Sequence, residues 1–205
     1  MRVELLEHCG FKQSVAGAWL SYGKADFDKI VKWNKDDFKD VKDDLVRLSE
    51  KLAGMDGGHN KFLEGLTYWI LIQAPLRFWK QFDTYRVGVT KSSESTMHLS
   101  WKGGLVPSDF EKPELIFEET IDRLNSLIRE YCNCTPEEKD KKKELEDTIT
   151  LNLPDGYLQT RLVSVNAKCL RNIYFQRRNH KLTEWSVFCS FIELLPKGEL
   201  ICKEK

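Results

Sequence analysis

The chain carries no net charge: 32 basic and 32 acidic residues cancel over 205 positions. That balance leaves no electrostatic footprint for nucleic acid or an anionic membrane. Long apolar runs are absent as well. Stretches such as "YWILI" fall far short of the roughly 20 residues that span a bilayer. The start, "MRVELLEHCG", has an early acid and no apolar core, so no signal peptide is expected. Cysteine is sparse, with six residues scattered as Cys9, Cys132, Cys134, Cys169, Cys189 and Cys202. Without a leader they read as reduced cytosolic thiols, not a disulfide framework. Cys132-Asn133-Cys134 has the wrong spacing for a zinc knuckle and no second pair, so no metal is expected. Glycine-rich phosphate loops, HExxH and GxSxG are all missing, which removes support from the common nucleotidase, protease and esterase readings. A cytoplasmic, soluble, single domain over 1–205 is the expectation.

What is present alternates between strand and helix patterns. "RVELLEH" before Gly10 suggests an opening strand, and "SVAGAWLSYG" a short helix closed by Gly23. Over 36–53, Phe38, Val41, Leu45, Leu48 and Leu52 recur at three- and four-residue steps, predicting an amphipathic helix before Gly54 and Gly57-Gly58. "LTYWILIQ" leaves no gap for solvent, as expected of a central strand buried on both faces. Pro75 suits the first turn of a following helix, about 75–85, bearing Lys80, Gln81 and Tyr85. Residues 87–105 read as a loop or hairpin, and 108–131 as a helix. Thr135, Pro136 and Glu138 form a capping-box pattern ahead of a lysine-rich helix with a solvated face. Leu153-Pro154-Asp155-Gly156 marks a turn. The strand "YLQTRLVSV", the helices "NAKCLRNIYFQRR" and "LTEWSVFCSFIELL", then Pro196 and a polar tail complete the chain. Strands and helices mix without a regular βαβ rhythm, so the class is α+β, a mixed central sheet with flanking helices.

The residues that could carry chemistry sit at junctions between these elements. His59 and Glu64 flank the start of the apolar strand, and Gln81 and Arg86 lie on or after the next helix. Asn166, Lys168, Asn172 and Arg177 follow along one later helix. Asn166 and Arg177 are eleven residues apart, about three turns, so both could face one ligand with Lys168 and Asn172 on its flanks. Asn166 also ends a strand and begins a helix, where backbone N–H groups favour an anion. Each has a plainer reading: Asn166 as a helix cap, His59 as a loop histidine, Glu64 as a helix-start charge, Arg177 as a surface residue.

Taken together, these segments resemble the flavin-dependent thymidylate synthases from near residue 1 to about 195. The first likeness is "GH", then Glu64, the apolar strand, "AP", Gln81 and Arg86; the second is Leu153-Pro154 before "YLQTRLVSVNA". The third is "VNAKCLRNIYFQR", where the family's Asn, Arg, Leu, Asn and Arg recur at these steps. The resemblance implies a homotetramer that uses FAD, NADPH and methylenetetrahydrofolate to methylate dUMP to dTMP. It places His59, Glu64, Arg86, Asn166, Lys168 (where the family has Arg) and Asn172 on FAD. Gln81, Ser95 and Arg177 would meet the pyrimidine nucleotide, and no side chain would act as a covalent nucleophile.

The chain departs from the family at its signature. Thr84-Tyr85-Arg86 stands where Arg-His-Arg opens it, Ser95 matches its late serine only with a one-residue insertion, and Met97-His98 replaces Arg-Tyr. Thr150 stands where relatives carry an Arg ahead of Leu-Pro. Each lost charged hydrogen bond removes about 1.5–3 kcal/mol. A dUMP site lacking two would bind about a hundredfold weaker, unless Lys91, Arg161, Arg171 or Arg178 substitutes. Two further readings therefore stand beside the synthase: a related flavoenzyme acting on another pyrimidine nucleotide, and a non-catalytic nucleotide-binding or interaction protein that kept the fold.

Overall fold

The computed structural model describes residues 1–20, 26–36, 43–55, 58–95 and 101–204. Gly23, Phe38, Val41, Gly57 and Met97-His98 lie outside them, as does the side chain of Leu45. The order is β1 (Arg2–Cys9), α1 (Phe11–Leu20), α2 (Phe27–Lys35), α3 (Asp43–Ala53), a 3-10 turn (Lys61–Glu64), β2 (Thr67–Pro75) and α4 (Leu76–Phe82). Then come β3 (Val89–Ser93), α5 (Glu118–Asn133), α6 (Lys139–Leu151), β4 (Leu158–Asn166), α7 (Ala167–Arg177), α8 (Thr183–Leu194) and α9 (Gly198–Ile201). The strands form one sheet ordered β1-β2-β4-β3, and the α+β class holds. Among the described residues no helix is long and apolar enough to cross a membrane.

Several expectations are corrected. β2 is an inner strand but not buried on both faces: Tyr68, Ile70, Ile72 and Ala74 are buried, whereas Trp69 and Leu71 are 43% and 39% exposed. Aromatic and branched residues favour the pleated backbone whether or not a second face is covered, so composition alone overstated the burial. Pro75 closes β2 and caps α4, one position earlier than expected; Tyr85 lies beyond that helix. Within 87–105, Val89–Ser93 is a strand. The helix foreseen from 108 begins only at Glu118, because Pro107 and Pro113 instead start short 3-10 turns. Only half of the capping box forms: Thr135 N donates to Glu138 Oε2 at 2.9 Å, but Glu138 itself caps α6. After Pro196 the chain is not a polar tail, since α9 buries Leu200 and Ile201.

Contacts cluster into two units. One comprises Met1–Arg2, Ile72–Thr84 and Ser92–Leu162. Its core gathers Trp101, Leu105, Phe110, Leu124, Ile128 and Tyr157 among others, with the α5–α6 hairpin supplying one wall. The other comprises Val3–Leu71, Tyr85–Lys91 and Val163–Lys205, where α7 packs on α8, on α9 and on the 61–64 turn. There Leu170, Ile173, Trp185, Phe188 and Ile192 are fully buried.

Candidate functional site

Within the second unit, three stretches meet at the start of α7. Asn166 is its cap: extended backbone brings the side-chain oxygen to accept from Cys169 N at 2.8 Å. The backbone N of Asn166 donates to Gly88 O at 2.8 Å, tying the end of β4 to the turn that follows Arg86. Gly88 has φ +72°, and a Cβ there would lie 2.3 Å from Asn166 Nδ2, so only glycine lets the turn pass this close. Ala167 N donates to Leu66 O at 2.8 Å, which brings in the stretch after the 61–64 turn. From that same stretch, buried Asn60 accepts from Lys168 Nζ through Oδ1 and donates to Ala53 O at 3.5 Å. Asn60 escaped the sequence reading, although it directly follows His59.

Five of the expected residues, His59, Glu64, Arg86, Asn166 and Lys168, are thus carried on backbone that converges on one helix start, and Asn172 lies further along α7. His59, Glu64, Arg86 and Asn172 are exposed, while Asn166 and Lys168 are half-buried. The anion-favouring amides are partly used, since Ala167 N and Cys169 N already have protein partners. Positive charge at this end comes from Lys168, Arg86 and the helix dipole. Lys168 and Arg86 offer an anionic group two cations at this end.

Arg177 ends α7, about 16 Å along the axis from Asn166. A ligand that met both would have to extend along about three turns of the helix. Arg177 is half-buried, donates through Nε to Tyr85 Oη at 2.9 Å, and lies over the rings of Trp185 (4.8 Å) and Tyr85 (5.7 Å).

The first unit holds the other two expected residues, Gln81 and Ser95. Half-buried Gln81 accepts the Thr84 hydroxyl through its carbonyl at 2.7 Å. The residue standing at the first signature arginine therefore closes α4. Ser95 lines a cavity of about 340 Å³ with Gln73, Glu94, Ser108, Asp109, Tyr157 and Leu158. Two carboxylates and no cation face this space among the described residues. Spacing gave no hint of that wall, because it is built from four separate stretches.

The cations offered as substitutes each have a protein partner. Arg161 grips both carboxylate oxygens of Asp83 at 2.9 and 3.1 Å and lies 4.3 Å over Trp79. Buried Arg171 donates to the carbonyls of Ile201 (2.9 Å) and Lys203. Arg178 pairs with Glu204 at 2.7 Å, and Lys91 donates to Tyr85 O at 3.3 Å. Burial pushes the Cys169 and Cys189 thiols up to about 11, so neither is a thiolate near neutral pH.

No family model matches this chain, and no curated protein does. Solved structures do match. Thymidylate synthase X (ThyX) from Helicobacter pylori, with FAD and dUMP, is similar with a TM-score of 0.64 at 18% identity, over 97% of this chain and 95% of that one. A second structure, the flavin-dependent thymidylate synthase ThyX from the same organism complexed with FAD and dUMP, gives 0.63 at 17%, over 98% and 96%. At this identity the likeness establishes the fold: an α+β chain built like flavin-dependent thymidylate synthase.

Proposed function

We propose that the chain is a divergent flavin-dependent thymidylate synthase, which binds FAD and converts dUMP to dTMP with methylenetetrahydrofolate and NADPH. The observation that carries this reading is the meeting of 59–66, 86–88 and 166–168 at one helix start, within a fold matched over nearly its whole length. Bound there, the flavin supplies the two-electron reduction that makes a transferred methylene a methyl group. The chain's own residues do the rest by placement. Lys168 and Arg86 meet the cofactor's anionic part, with His59, Glu64, Asn166 and Asn172 around it. Arg177 is a side chain for the nucleotide, as are Gln81 and Ser95, each taken in its own unit. The protonated thiols fit a reaction that needs position and charge instead of a sulfur nucleophile. Exposed Trp69 and Leu71 on β2 suit a face covered by further copies in a homotetramer.

The absorbance spectrum of freshly purified protein tests the cofactor, through an oxidised isoalloxazine band near about 450 nm. Turnover of dUMP with both co-substrates tests the reaction. A yellow, active protein supports the reading, and a colourless chain inert towards dUMP ends it.

A second reading rests on a separate observation. Acids line the Ser95 cavity and the candidate replacement cations have protein partners, so the charged contacts foreseen for a dUMP phosphate are not formed by these residues, and a related flavoenzyme with altered pyrimidine-nucleotide recognition stands as the alternative. Thermal shift against a nucleotide panel decides, since a ligand at 100 times its Kd adds about 2.7 kcal/mol. No shift with any pyrimidine nucleotide, in a protein without flavin, leaves a non-catalytic interaction protein on a retained scaffold.

A further inference from the structure

The residue at the middle of the altered signature, Tyr85, is buried beside the last turn of α7. Its hydroxyl makes two directed bonds: it accepts from Arg177 Nε at 2.9 Å and donates to Gln176 Oε1 at 2.9 Å. Because the one proton goes to Gln176, a lone pair is left facing Arg177. Tyr85 and fully buried Trp185 meet edge to face, with centroids 6.2 Å apart and planes at 70°. The guanidinium lies over both rings. A long, rotamer-rich side chain is thereby restricted in roll by stacking and in direction by its Nε bond before any ligand arrives. A phenol suits the task because its hydroxyl can accept from Arg177 while donating to Gln176.

We propose that Tyr85 is a positioning residue: with Gln176 and Trp185 it presets Arg177 for the nucleotide. This rests on the reading that Arg177 meets the pyrimidine nucleotide, and the preset geometry lowers the ordering needed on binding. Tyr85 acts through Arg177 and touches no reacting atom.

The test is a double-mutant cycle on the full chain, with dUMP affinity measured by calorimetry and flavin content measured in parallel. Tyr85→Phe keeps the ring and removes only the hydroxyl, so folding and flavin content are expected to match wild type. Its dUMP affinity is expected to fall roughly five- to tenfold. In an Arg177→Ala background the same change is expected to cost less than about twofold, since the residue it positions is gone. Losses that multiply in full in the double variant overturn the positioning role, as does a Tyr85→Phe protein that binds dUMP like wild type. A wild-type chain that binds no dUMP removes the functional reading, and the proposal with it.

Discussion

The residues at the start of α7 and Ser95 were both expected to serve one reaction, yet the helix start and the cavity that Ser95 lines are built differently. At the helix start, backbone bonds between Asn166 and Gly88 and between Ala167 and Leu66 hold three distant stretches in register. Five of the six polar side chains expected there project from one of them, and Asn172 lies further along α7. Beside Ser95 the wall presents Glu94 and Asp109; elsewhere in the same unit Thr84 bonds the Gln81 carbonyl and Arg161 is committed to Asp83. Fixing a cofactor platform through the backbone makes it tolerant of side-chain drift. Substrate recognition depends on a few charged side chains and is rewritten by changing them. On the proposed function, the contrast implies that flavin binding would survive more sequence change than nucleotide choice would.

The strongest way to break the platform is Gly88→Ala. A methyl at φ +72°, 2.3 Å from Asn166 Nδ2, is strained by backbone and by contact alike. A loss of about 2–4 kcal/mol is expected in chemical unfolding, with lower flavin content. Gly103→Ala in the other unit, where nothing lies within 4 Å, serves as the control and is expected to change stability by under about 0.5 kcal/mol. Equal effects at the two glycines would remove the claim that the 86–88 turn is pinned on Asn166.

Arg177→Ala separates the two ends of α7. It is expected to lower nucleotide affinity by about 1.5–3 kcal/mol, roughly ten- to a hundredfold, while FAD content stays near wild type. Calorimetry with dUMP and a flavin spectrum read the two effects independently. Unchanged affinity removes Arg177 from the nucleotide site; loss of flavin would instead move it to the cofactor.

Much of the platform was legible because its signals are local. An Asn where an apolar strand turns into a helix is a cap by its side-chain chemistry, and Asn166 is one. The strand "YLQTRLVSV" and the α7 and α8 patterns place β4 and both helices within about a residue of their ends. α2 went unread: its start depends on Asp26 accepting from Lys29 N, and Phe27 at its head is exposed. The Ser95 cavity could not be read at all, since residues 73, 94–95, 108–109 and 157–158 are joined only by tertiary packing. Local chemistry is written in short windows, whereas cavity walls are not.

The α7–α8 side also differs in its response to alkali. The Cys169 and Cys189 thiols are raised to about 11 by burial, above the ordinary thiol range of an unfolded chain. Below pH 8 both states keep these protons and stability is flat. As pH rises past about 9, the unfolded chain releases protons that the folded chain retains, so stability falls until the folded thiols ionise near 11. At pH 10 the loss is at most about 1.4 kcal/mol per thiol, before any reduction for solvent screening. Cys169→Ala is expected to flatten the decline of Tm between pH 8.5 and 10.5, and an unchanged slope would refute the assignment to that thiol.

The smallest expected effect bears directly on the contrast. Glu94 Oε2 accepts from Thr160 N at 2.9 Å and Asp109 Oδ2 from Val106 N at 2.8 Å. An amide oxygen keeps both bonds, so Glu94→Gln with Asp109→Asn removes charge while leaving the cavity's frame intact. If a nucleotide phosphate approaches Ser95, removing two like charges at an effective dielectric near 20 with salt screening favours dUMP by on the order of 0.5–1 kcal/mol, about two- to fivefold. Uncharged deoxyuridine should bind the variant and wild type equally. Matching gains for both ligands would mean that shape and not charge changed. No gain for dUMP would detach the cavity from the phosphate, leaving recognition of that group to Arg177 at the far end of α7.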